Sequence, residues 1–183
     1  QLDPKDADLH NRLAYLLNWT AEVGLRDFDA AMMHAKQAVK LEPQNWGYSR
    51  NLASIHKGRF ADMESAIAVW EQWIPLAEDP SKALEAQSVL SELAEKHQET
   101  IQHVDRYMAN LGTQEPDGTA ASLYLRRGKA NASLGNTAEA ISDLKRALEL
   151  DVIAKWPFYQ QLAEAFRQLG ADDLALAACD KAL

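Results

Sequence analysis

The feature that most constrains this fold is a set of small residues repeated along the last third of the chain. Gly128, Gly135, Ala140 and Ala147 are separated by 7, 5 and 7 residues, and Ala163, Gly170, Ala175 and Ala182 repeat those gaps 35 residues further on. Large apolar residues surround both sets at helical spacing, Tyr124 and Leu144 in the first, Phe158, Leu162 and Phe166 in the second. A small residue at a crossing lets two helices approach to roughly 8–10 Å while larger neighbours fill the grooves. One such pair cannot bury its apolar face alone, so a period of this length implies helix pairs stacked on like pairs.

Composition is compatible with that architecture. The 183 residues suffice for about five such units. A charged fraction of 25% and a hydrophobic fraction of 47% are ordinary for a globular chain. The prolines fall near expected helix ends, and no alternating strand pattern flanked by turn signals is found, so the fold class is all-α. A net charge of -8 argues against nonspecific binding to nucleic acid or anionic membranes. A single cysteine excludes an internal disulfide framework. No apolar run is long enough for membrane insertion as a helix.

The segment Leu123 to Asp151, LYLRRGKANASLGNTAEAISDLKRALELD, resembles a tetratricopeptide repeat (TPR), with Tyr124, Gly128, Gly135, Ala140, Leu144 and Ala147 in the family's places. It departs at Arg127, Asn131 and Val152, where the family favours two large apolar residues and a proline. The last unit also resembles the family through Phe158, Leu162, Ala163, Phe166, Gly170, Ala175 and Ala182. The resemblance implies a right-handed superhelical solenoid of antiparallel helix pairs, with four recognisable pairs and a degenerate one in the middle.

The expected organisation is a single array. Residues 1–6 resemble the tail of a preceding repeat, so the chain is expected to be a segment of a longer TPR protein. Residues 7–45 form a first repeat with a long turn in Thr20 to Asp27, similar to units common in bacterial proteins. Residues 46–79 form a second repeat, in which Asp62 caps a helix, Pro75 ends or kinks one, and Trp73 is unusually large for a crossing position, so that a fuller neighbour or a wider helix separation must accommodate it. Residues 80–112 are the degenerate repeat, expected as a helix pair turning near Lys96 to Glu99 rather than one long bent helix. Residues 113–119, with Pro116 and Asp117-Gly118, read as a linker. Repeats at 120–154 and 155–183 follow, the last one truncated.

Enzyme chemistry finds little support: there is no phosphate-binding glycine loop, nucleophile elbow or paired-histidine metal motif. His97 and His103 fall on different faces of a continuous helix. Glu92, Glu95 and Glu99 read as a solvated stripe. Cys179 is expected to pack between helices as a small apolar residue. Trp46 and Trp156 are expected to pack between neighbouring repeats. Asn18-Trp19-Thr20 and Asn131-Ala132-Ser133 match the glycosylation pattern, but Asn131 falls on a packed position. No catalytic residue, cofactor or metal is therefore expected.

What the resemblance implies is a non-catalytic scaffold holding a partner protein or peptide in a concave groove lined by the first helix of each pair. In the first unit the family's groove positions carry Asn11, Arg12, Tyr15, Asn18 and Trp19, and in the second Arg50, Asn51, Ser54 and Lys57. The fourth contributes Arg126 and Lys129, the fifth Gln160, Gln161, Glu164 and Arg167. Basic and amide groups predominate, so an acidic peptide is the expected partner. The family's carboxylate clamp and asparagine ladder are both incomplete here. Two other readings are a regulatory or substrate-positioning domain of a larger enzyme, and self-association through apolar end faces.

Overall fold

A computed structural model describes residues 5–19, 27–111, 118–150 and 155–182. Among these residues the fold is all-α. The helices are α1 (Ala7–Trp19), α2 (Phe28–Leu41), α3 (Trp46–Arg59), α4 (Met63–Trp73) and α5 (Pro80–Leu93), followed by α6 (His97–Leu111), α7 (Gly118–Ser133), α8 (Thr137–Glu149), α9 (Lys155–Gln168) and α10 (Asp172–Ala182). Pro75 cannot donate to a continuing helix, and α4 gives way to a 3₁₀ turn over Ile74–Leu76. The long first turn from Thr20 lies outside the described residues, as does most of the linker, although Gly118 and Thr119 belong to α7 rather than to a linker.

Short polar side chains start the helices. Asp27 accepts from the Ala30 N–H at 2.9 Å, Asn45 from Gly47 at 3.0 Å, Asp62 from Ser65 at 2.9 Å and Asp79 from Ser81 at 2.8 Å. Each satisfies a donor that the first helical turn leaves unpaired.

Ser81 to Leu111 is two helices, and their turn occupies Ala94 to Lys96, ahead of the expected Lys96 to Glu99. It is built like the turns of the two well-matched repeats. Gly135 and Gly170 take left-handed φ values of 80° and 69°, and Glu95 takes 55°. In each case the next residue's N–H reaches back to a carbonyl five residues earlier: Lys96 to Ser91 at 2.8 Å, Asn136 to Asn131 at 2.9 Å, Ala171 to Phe166 at 3.0 Å. The degenerate repeat thus keeps the helix-ending motif while lacking the glycine that marks it in sequence.

The chain divides into two compact units, Gln1–Ala86 and Gln87–Leu183. In the first, Ala14, Ala31 and Ala35 pack with Leu52 and Ile55, all essentially buried. Trp73 is accommodated by two other indoles: its ring lies 5.0 Å from Trp46 and 6.2 Å from Trp70, while its Nε1–H donates to the Gln44 carbonyl at 3.0 Å. In the second unit, Leu125, Leu144 and Ala147 share a core with Phe158, Tyr159, Leu162 and Phe166. Gly128 lies so close to α8 that a Cβ there would meet Leu144 at 2.9 Å.

Two packing expectations are corrected. Trp46 packs against the other tryptophans, but Trp156 at the start of α9 is 60% exposed. Cys179 is exposed, because α10 turns Ala178 into the core instead.

Candidate interaction surfaces

In the first unit, α1 and α3 lie side by side and are joined by two polar rungs. Asn51 Nδ2 donates to Asn11 Oδ1 at 3.0 Å. Arg59 donates from Nε to Asn18 Oδ1 at 2.8 Å and from Nη2 to the Asn18 carbonyl at 3.0 Å, with its guanidinium 5.0 Å from the Phe28 ring centroid. Asn18 is only 1% exposed, which removes it both from a partner-facing surface and from use as a glycosylation site. Arg59 was the unforeseen residue, and only the fold shows that it reaches Asn18.

Around these rungs, Arg12 and Tyr15 on α1 and Arg50, Ser54 and Lys57 on α3 are exposed. Arg50, Ser54 and Lys57 are spaced for one helix face. Arg12 approaches Asp8 at 3.8 Å, an exposed pair one helical turn apart that holds its charge weakly. Trp19 ends α1, and its side chain lies outside the described residues.

The basic residues of the second unit behave differently. Glu92 on α5 accepts from Arg126 Nε at 2.8 Å and from Lys129 Nζ at 2.7 Å, one carboxylate oxygen to each. Glu92 is therefore half-buried between two cations, not part of a solvated stripe, while Glu99 is exposed and lies 3.4 Å from Lys96. On α9, Gln160 and Gln161 are exposed, and Arg167 is paired with Glu164 through contacts of 2.7 and 3.0 Å. That pair lowers the titration range of Glu164, chiefly through hydrogen bonds from Arg167 and Gln168.

A polar cleft of about 530 Å³ opens beside α6, α7 and α8. Arg127 crosses it, donating to Asp143 from Nε at 2.9 Å and Nη2 at 2.6 Å, and to Asp105 from Nη1 at 2.6 Å. Asn131 Nδ2 also reaches Asp143, at 3.3 Å, and Asn131 Oδ1 accepts from Asn136. The two polar departures from the repeat pattern thus share one buried carboxylate. Asp143 carried no sequence signal, since a lone acidic residue on a helix usually faces solvent.

His97 and His103 are not brought together with further ligands, and no group of three or more His, Cys, Asp or Glu side chains able to hold a metal occurs among the described residues. His10 and His34 approach through their Nδ1 atoms at 2.8 Å, and burial followed by the charge of His10 pushes His34 below its ordinary value. No helix among the described residues is long and apolar enough to cross a membrane.

Residues 121–151 match the tetratricopeptide repeat family. No curated protein matches the sequence. Several solved structures share the fold. A thermophilic TPR protein of Thermus thermophilus is 21% identical over 97% of this chain and 90% of its own, with a TM-score of 0.64. PilW, a type IV pilus biogenesis factor, is 15% identical over 96% of this chain and 76% of its own, with a TM-score of 0.62. YrrB, a TPR protein with an unusual peptide-binding site, is 14% identical over 98% of this chain and 86% of its own, with a TM-score of 0.53. The fold is therefore that of the TPR proteins. Residues 121–151 are one of its repeats.

Proposed function

We propose that this chain is a non-catalytic scaffold that binds an extended or helical acidic peptide along the α1–α3 face of its first unit. The observation that carries the reading is the Asn51–Asn11 contact, which sets the two helices side by side with Arg12, Arg50 and Lys57 exposed around it. Amide groups at the centre suit a peptide backbone, the flanking cations suit carboxylates, and Tyr15 offers an aromatic surface that is 57% exposed. The peptide-binding site of YrrB, a protein of the same fold, is consistent with a peptide as the ligand class.

The test is a fluorescence-anisotropy titration of the whole chain with a labelled glutamate decapeptide. The net charge of -8 repels such a probe overall, so binding reports a local basic surface. The wild type should bind at low salt, and R50E/K57E should lose that binding while keeping the wild-type melting temperature. Equal binding by both proteins overturns the proposal.

A further inference from the structure

The cations of the second unit already have an anion. Arg126 and Lys129 lie three residues apart on α7, on one helix face, and both point at the same carboxylate. Glu92 presents one oxygen to each, the bridging geometry by which a ligand carboxylate would be held. A second group on α5, the Ser88 hydroxyl, lies 3.4 Å from Arg126 Nη1. The three charged side chains are mostly screened from water, Arg126 and Glu92 more than Lys129.

We propose that Glu92 is the intramolecular occupant of an anion site formed by Arg126 and Lys129, and that it determines specificity by closing this face to acidic partners. The inference extends the acidic-peptide reading of the first unit and rests on it for its recognition chemistry. Glu92 is fixed on a neighbouring helix, so it meets the two cations without the loss of translational freedom that a free ligand incurs. An incoming carboxylate has to displace a partner that is always present. One negative charge faces two positive ones, so neutralising Glu92 removes the carboxylate that the two cations share. A partner bearing a carboxylate then has a vacant site.

The experiment uses the whole chain in an R50Q/K57Q background, which removes the first unit's contribution and separates this inference from that reading. The probe is the same labelled glutamate decapeptide, at about 0.15 M salt, where exposed charges more than about 8 Å apart are largely screened. Introducing E92Q should tighten peptide binding about tenfold, the change expected when a like charge is removed from a partly desolvated contact. Adding R126Q and K129Q should abolish that gain. A cooperative melt with no gain on E92Q overturns the proposal, as does a gain that survives R126Q/K129Q. A second measurement does not require E92Q to fold. R126Q/K129Q made in the otherwise wild-type chain should leave peptide affinity unchanged, because Glu92 already closes the site. A loss of affinity in that variant shows the site open with Glu92 in place and sinks the idea.

Discussion

Arg127 and Asp143 meet through two hydrogen bonds, from Nε at 2.9 Å and Nη2 at 2.6 Å, at a crossing where the repeat pattern calls for an apolar contact. The guanidinium remains protonated at every accessible pH, held there first by the hydrogen bonds to Asp143 and then by Asp105. Asp143 is buried and also takes the Asn131 amide, so the helix pair is fastened by a polar network set inside an apolar frame.

That network should be costly to break singly and inexpensive to replace whole. R127L leaves a buried carboxylate with only Asn131 and should destabilise by about 3–5 kcal/mol. The triple variant R127L/N131L/D143L, which restores the repeat's apolar pattern, should recover most of that loss. Urea unfolding of both variants decides the matter; a triple variant no more stable than R127L would show that the network carries stability of its own.

Glu95 holds a left-handed φ of 55° in a turn whose two counterparts use glycine. A side chain there costs roughly 1–2 kcal/mol of local strain, of which glycine's greater freedom in the unfolded chain returns about 0.5–1. E95G should therefore raise stability by about 0.5–1 kcal/mol, read as a shift in urea midpoint. A lower midpoint would contradict the assignment of this turn.

Gly128 is required by space rather than by conformation. A Cβ would lie 2.9 Å from Cγ and Cδ2 of Leu144 and 3.3 Å from the Ala140 carbonyl. Overpacking costs about 1–3 kcal/mol, against a helix-propensity gain of about 1 kcal/mol from alanine. G128A should be net destabilising in thermal melts, and L144A should mask most of the effect when the two are combined. Additive losses would place the clash elsewhere.

Acid should weaken the fold before its carboxylates titrate. His34, His56 and His103 are each pushed below the ordinary imidazole value, in every case first by burial, with further pressure from His10, Lys36 and Arg106 respectively. In the unfolded chain they protonate near about pH 6.5, so below that pH the unfolded state binds more protons and stability falls. Above it the contribution vanishes. The urea midpoint should therefore be lower at pH 5.5 than at pH 8, and H34Q, which removes the His10–His34 opposition, should narrow the difference. A midpoint that is flat or higher at pH 5.5 would refute the burial argument.

The helix pairs, their small-residue crossings and the Asp62 cap were legible in the sequence. These are local and repeated features: Ala140 and Ala147 are fully buried where the spacing placed them. The Glu95 turn was legible only in part, because its glycine is missing while its backbone hydrogen bond remains. Which charges would be available to a partner was not legible at all. The resemblance to the repeat family placed Arg50, Arg126 and Lys129 in comparable groove positions, yet Arg50 is exposed while the other two are bound by Glu92, 34 and 37 residues away. The sequence by itself determined the repeat, because helical spacing and residue size act within a turn or two of the chain. Only the tertiary structure decided the charge partners, because an ion pair depends on which helices pack together and where long side chains end.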